Sequence, residues 1–261
     1  LLQKSIRKPV LVSALILLTV LLTGCSVDGI ATIPTEELVN RGFWNRFIVY
    51  PMALSLDFFA GLLMNQYGLS ILVMTIIIRF LILPLTLKQY RSSRALQALQ
   101  PQLQKLREKY KNDQQKFNQE LMKLYQEHNI NPLAGCLPVL IQMPILLALY
   151  NAIMYNPAIR GEHSKFLWMD LSQPDNLYIL PVLAALTTYI QQKMVMSQSG
   201  QNNPMQGIMI IFPILIFVMS ISFPSALPLY WVYSNLFTLV QTYFIYGIGK
   251  NKGGQVKGGK A

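Results

Sequence analysis

Charge is scarce in this chain. Only 13% of its 261 residues are Asp, Glu, Lys or Arg, where a soluble domain carries about 25%. Carboxylates are the scarcer sign, 11 against 22 Lys and Arg, which leaves a formal net charge of +11. Histidine is limited to His128 and His163, and cysteine to Cys25 and Cys136. The first count excludes a histidine-rich metal site. The second, with Cys136 inside an apolar run, excludes a disulfide framework. No metal and no cofactor is expected. Apolar surface, by contrast, is abundant: 52% of the residues are hydrophobic, and the chain reads as an integral membrane protein. Such basicity accompanies nucleic acid or anionic lipid. In a membrane protein its plainer source is the Lys and Arg of cytoplasmic loops, so no specific nucleic-acid sequence is expected as a partner.

The most informative stretch is Leu69–Lys88, an almost wholly apolar run of the roughly 20 residues that a transmembrane helix needs. It contains Arg79, nine residues before Lys88, or about 13 Å at the helical rise. A charge at the centre of such a helix costs about 2.5–3.5 kcal/mol on insertion scales. Either this arginine snorkels or packs within a bundle, or it faces a water-filled cavity with a function.

The remaining segments follow in order. Residues 1–24 have the basic start and apolar core of a signal peptide, and Leu22-Thr23-Gly24-Cys25 resembles a lipobox. Cys25 is the predicted lipidation site. The simpler alternative is an uncleaved anchor with an incidental cysteine. Residues 25–66 form an extracytoplasmic segment in which Glu36–Phe59, mixing aromatics with scattered charge, suits an amphipathic helix at the outer interface, bent at Pro51. The first span is 67–87. Residues 88–131 form a basic cytoplasmic segment. Leu96, Leu99, Leu103, Leu106 and Tyr110 make one helical stripe, Phe117, Leu121, Leu124 and Tyr125 a second, and Asn112-Asp113 a turn between them. This predicts a helical hairpin whose stripes pack on each other, with Pro101 kinking its first arm. Further spans are predicted at 132–155, 177–196, 207–223 and 227–248, joined by an external loop at 156–176, a cytoplasmic loop at 197–206 and a tight outer turn at Phe223–Ala226. A basic tail, 249–261, follows. Five spans from an outside N-terminus put that tail in the cytoplasm, as the charge rule independently does.

The polar residues inside these spans are not scattered. Trp231, Ser234, Asn235, Thr238, Gln241 and Thr242 share one face of the last span, and Thr75, Arg79 and Thr86 one face of the first. Gln142, Gln191 and Gln192 fall at similar depths in the inner half of the bilayer, while most of the outer half is apolar. For a single Gln or Thr the plain account is interhelical hydrogen bonding. Gathered beside an arginine, with no Asp or Glu within the spans to neutralise it, they indicate a blind, positively charged pocket wetted from the cytoplasm, since a dry one would be very costly.

With those residues in view, the chain resembles the lipoprotein-type YidC proteins of Gram-positive bacteria, in the YidC/Oxa/Alb membrane insertase family. The resemblance rests on the lipobox cysteine, Tyr67-Gly68-Leu69-Ser70, Ile78-Arg79-Phe80, Leu83-Pro84-Leu85, the basic hairpin, Phe223-Pro224 and Leu229-Tyr230-Trp231. The most specific parts are Asn131-Pro132-Leu133-Ala134-Gly135-Cys136-Leu137-Pro138 and Ile141-Gln142-Met143-Pro144. It implies an all-α membrane protein with five transmembrane helices around a hydrophilic groove, open to cytoplasm and lipid and closed outside. Arg79 matches the groove arginine, and Gln142, Gln191, Trp231 and Gln241 match groove-lining positions. Thr75, Asn235 and Thr238 join the candidate set from their shared faces. The implied substrates are nascent membrane proteins. The ribosome and the Sec translocon are the expected partners beside the lipid bilayer, and the chain is expected to work as a monomer in the bacterial cytoplasmic membrane.

Other functions are weighed on the same residues. A small secondary transporter for an anion would also use Arg79, but transporters commonly carry internal repeats and none is found. An intramembrane enzyme would need paired aspartates, a histidine–glutamate zinc motif or a Ser/His pair, and the spans contain none of these. No catalytic residue is expected.

Overall fold

The structure is a computed structural model that describes residues 31–128, 137–199 and 206–250. The expected signal peptide, Cys25, most of the Asn131–Pro138 motif, residues 200–205 and the tail from 251 lie outside the described residues. The described chain is almost entirely helical.

The predicted interfacial helix over 36–59 is broken into pieces. A 3₁₀ helix spans Thr35–Asn40. Gly42 then takes φ +90°, a left-handed conformation open to glycine at little cost. A π-helical turn, Asn45–Val49, leads into α1, Tyr50–Leu62, which has Pro51 in its first turn. The helical run is continuous from Phe43 through this turn, since Trp44, Val49 and Tyr50 all keep right-handed helical dihedrals, and the change from π-helical to α-helical hydrogen bonding falls just before Pro51.

α2, Tyr67–Leu81, and α3, Leu83–Ala98, form a pair bent by 57°, where the sequence reading has a continuous span to residue 87. The bend is at Ile82, two residues before Pro84, whose ring clashes with the carbonyl of residue i−4 and has no N–H to give. A second break at Leu99 separates α3 from α4, Gln100–Lys109, which has Pro101 in its first turn. After the turn, α5 covers Gln114–Glu127, and its N-cap Asp113 accepts the backbone N–H of Lys116 at 3.0 Å. Such a cap is worth about 1 kcal/mol. α4 and α5 touch across this turn.

α6, Leu137–Tyr155, precedes a loop containing a short antiparallel pair, β1 (Lys165–Phe166) and β2 (Met169–Asp170). Then come α7, Ile179–Ser199, α8, Gln206–Ser222, and α9, Ala226–Lys250. α7 packs on α8 and α9, and α9 also on α2 and α6. Among the described residues no single helix is long and apolar enough to cross a membrane; the α2–α3 pair passes that test as a bent unit.

The larger apolar core lies at one end of the molecule. It joins Ile33, Leu38, Val49, Leu56, Ile71, Leu149, Ile153, Ile159, Leu171 and Leu227. A smaller cluster, Ala184, Ile216 and Val232, ties α7, α8 and α9. Apolar side chains also cover outward faces, among them Ile211, Ile214 and Val218 on α8 and Leu236, Val240 and Phe244 on α9. Contiguous exposed apolar surface of this kind is rare on a soluble monomer.

Candidate functional site

Three helices bring polar groups to one stretch of α9. Arg79, in the last turn of α2, donates through Nη2 to Ser234 Oγ. Gln142 of α6 donates through Nε2 to Tyr230 Oη at 2.5 Å. Tyr230 and Ser234 stand four residues apart and so on one face of α9. Two turns beyond Ser234 the hydroxyls of Thr242 and Tyr90 of α3 are 2.6 Å apart, and Arg94 Nη2 donates to the Ile245 carbonyl at 3.1 Å. α9 is thus a polar spine to which α6, α2 and α3 attach in succession.

Arg79 is half-buried, and no carboxylate pairs with it among the described residues. Its counterpart is a neutral hydroxyl. A guanidinium held this way keeps most of its positive charge uncompensated, and in a medium of low dielectric an anionic group would be drawn to it strongly. Gln241 adds a second ungratified group, since its buried Nε2 has no hydrogen-bond partner among the described residues. A buried donor left without a partner costs about 1–3 kcal/mol. Gln191 is half-buried on α7, and Trp231 packs against both apolar clusters.

The other sequence candidates are placed differently. Thr75 is 1% exposed and donates to the Ile71 carbonyl of its own helix. Thr238 does the same to Ser234 O. Asn235, 4% exposed, donates to Thr187 Oγ1 at 3.1 Å and Thr188 Oγ1 at 2.8 Å, which ties α9 to α7. The structure buries these three in helix packing. A shared face at helical spacing is common to packing and to a groove lining, and the neighbouring helix decides between them.

Residues outside the candidate set complete the arrangement, Ser234 and Thr242 among them, and one more forms a separate hub. Tyr230 is 2% exposed and holds Gln142; in the sequence it belongs to the Leu229-Tyr230-Trp231 motif, but nothing there marks its hydroxyl as a partner for Gln142. Tyr90 lies in the basic segment and gives no sign of a partner 152 residues away. Asp57, at the far end of the molecule, accepts from Thr35, Tyr67 and Asn156. Its only sequence signal is a carboxylate flanked by Leu56, Phe58 and Phe59. No group of three His, Cys, Asp or Glu that could hold a metal occurs among the described residues.

Comparison with known proteins agrees with this architecture. The family model described as 60Kd inner membrane protein matches residues 58–252. The chain is 52% identical over 225 residues to the protein named membrane protein insertase MisCA of Bacillus subtilis (strain 168), covering 84% of this chain and 85% of that one. It is 45% identical over 260 residues to membrane protein insertase YidC 2 of Bacillus anthracis, covering 98% and 97%. Among solved structures, an active YidC insertase crystal structure with its first transmembrane domain resolved superposes with a TM-score of 0.64 at 29% identity, over 78% of this chain and 47% of that one. A half-buried arginine answered only by a hydroxyl, a glutamine hung on a tyrosine of the last helix, and this extent of shared sequence lead to one assignment: the chain belongs to the 60Kd inner membrane protein family, the family of the YidC insertases.

Proposed function

We propose that the protein is a membrane protein insertase that receives nascent membrane proteins in a positively charged groove and releases their apolar helices into lipid. The observation that carries the reading is the Arg79 guanidinium, held by Ser234 and paired with no carboxylate among the described residues. The groove is lined by Arg79, Gln142, Gln191, Trp231 and Gln241 and opens towards the cytoplasm. Thr75, Asn235 and Thr238 stand behind the lining, and Asn235 ties two of its helices together.

The polar or acidic flank of a nascent segment enters the wet groove and is attracted by Arg79. The apolar barrier left to cross is thinner than a whole bilayer, so the flank crosses at lower cost. The substrate's own apolar helix, which needs no polar surroundings, slides sideways into lipid. No covalent bond changes, so the work lies in a charge, a set of amide donors and a thinned barrier. The unpaired Nε2 of Gln241 is a donor free to meet an incoming polar backbone.

Five spans fit this reading: the bent α2–α3 pair, α6, α7, α8 and α9. The outward apolar faces of α8 and α9 are the lipid-facing surface. Residues 1–24 are a signal peptide, Cys25 carries the lipid anchor, the N-terminus is outside and the tail is cytoplasmic. The α4–α5 hairpin exposes Lys105, Arg107, Lys109, Lys111, Lys116 and Lys123, a basic surface for the ribosome or the Sec translocon. The protein works as a monomer.

The test replaces Arg79 with Ala and with Lys and follows insertion of a single-spanning substrate with an acidic flank. Insertion with Lys and failure with Ala is the expected result. Undiminished insertion with Ala removes Arg79 from the mechanism.

A further inference from the structure

Arg79 and Gln142 sit towards one end of α2 and α6 and meet on α9. The opposite ends of the same two helices converge on a single carboxylate. Asp57 of α1 accepts from Tyr67 Oη at 2.8 Å, and Tyr67 is the first residue of α2. It accepts from Asn156 Nδ2 at 2.6 Å, and Asn156 is the residue after α6 ends. A third hydrogen bond, 2.7 Å from Thr35 Oγ1, brings in the N-terminal segment. All three donors are neutral, and no Lys, Arg or His pairs with Asp57 among the described residues.

The hub is built firmly. Asn156 is 2% exposed, and its Oδ1 accepts the backbone N–H groups of Ala158 and Ile159 at 2.8 and 3.1 Å. The Ile33 N–H donates to Tyr155 O at 2.7 Å, so the segment that supplies Thr35 is also tied to the end of α6. Leu38, Val49, Leu56, Ile153 and Ile159, each at most 1% exposed, surround this region. An apolar residue would pack in such a shell without the desolvation that a carboxylate suffers. What the carboxylate provides instead is directional, charge-assisted hydrogen bonds to three separate segments.

We propose that Asp57 is a positioning residue of the insertion groove, whose carboxylate pins the outer ends of α2 and α6 together and keeps the groove closed on its outer side. Through those helices it also fixes where Arg79 and Gln142 stand on α9. This rests on the reading of the groove as open only to the cytoplasm.

The experiment places a cysteine at the groove, Gln142→Cys, and measures its modification by a membrane-impermeant thiol reagent added from either side. The chain without that substitution serves as the blank for Cys25 and Cys136. In the otherwise natural chain the new thiol is expected to react from the cytoplasmic side alone. Thr35→Val with Tyr67→Phe removes two donors without changing shape, and outer-side modification is then expected to rise at least tenfold. Asp57→Leu raises it further. Asp57→Asn, still able to accept from Tyr67 and Asn156 but without the charge, raises it less than Asp57→Leu. Outer-side modification unchanged in both the double variant and Asp57→Leu overturns the proposal and leaves Asp57 a folding contact. If the thiol is reached from outside before any pin is removed, the groove reading fails first, so the two failures are distinguishable.

Discussion

Phe166 of β1 sits directly over Gly68 in the first turn of α2, so that a Cβ at position 68 would overlap its ring. Phe166 is 8% exposed and the overlap falls on the root of the ring, where rotation gives little relief. Ala in place of Gly gains about 1 kcal/mol in a helix interior, while overpacking costs about 1–3 kcal/mol. Gly68→Ala is therefore expected to lower thermal stability in detergent, and measured against the Phe166→Ala variant the same change is expected to cost nothing.

The Gln142–Tyr230 hydrogen bond invites a double-mutant cycle. Tyr230→Phe keeps the ring and leaves the Gln142 amide without its acceptor, a loss of about 1–3 kcal/mol if the amide stays dry. Gln142→Leu removes the donor. A coupling of about 0.5–3 kcal/mol between the two changes is expected, measured as thermal stability and as insertion yield. Strictly additive effects would show that each side chain acts independently of the other.

Asn235 offers the opposite expectation. Its amide serves Thr187 and Thr188, but both hydroxyls also donate to carbonyls of their own helix, Leu183 and Ala184. Asn235→Leu strands neither threonine. An interhelical hydrogen bond in a membrane protein averages about 0.6 kcal/mol, so a small fall in stability and near-natural insertion are expected. Loss of insertion in a stably folded Asn235→Leu protein would show that the amide serves the substrate.

Asp170 gives a pH dependence. Burial by itself raises its carboxyl pKa, but hydrogen bonds from the Ser172 hydroxyl and backbone N–H, from Lys165 and from Ser164 outweigh it, and the group is held below the ordinary carboxylate range. Ser172 Oγ is at 2.7 Å. The Lys165 ammonium, at 3.2 Å, belongs to a side chain 79% exposed and adds little. A depressed pKa stabilises the fold above the unfolded value of about 3.9, and that stability drains away as the pH falls through the lower folded value. Thermal unfolding of the loop, followed through Trp168 fluorescence, is expected to be level near neutrality and to weaken below about pH 4. Asp170→Asn is expected to flatten that fall.

Much of the site's polar face was legible because an α-helix writes its faces into the sequence at intervals of three and four. Ser234, Thr238 and Thr242 needed no partner to be grouped, and Arg79 was conspicuous because charge in an apolar run is expensive. Which of these groups meet another helix's polar atoms, and which turn into packing, is fixed by that other helix. Asn235 and Ser234 are sequence neighbours, yet one faces Thr187 and Thr188 and the other Arg79. Helix breaks were half legible: Pro101 does start a new helix, but the 57° turn at Ile82 depends on what α3 packs against after Pro84 ends the straight run. The two-residue strands of the loop after α6 are too short for any period to announce.

By itself, the sequence determined that apolar helices dominate, that their polar residues gather on α9 and α2, and that Arg79 has no acidic neighbour within its span, because composition and periodicity are local properties. Only the tertiary structure decided that Tyr230 answers Gln142, that Phe166 roofs Gly68 and that Asp57 collects donors 10, 22 and 99 residues away. Such contacts are long-range closures of the chain, and their distance in sequence bears no relation to their distance in space.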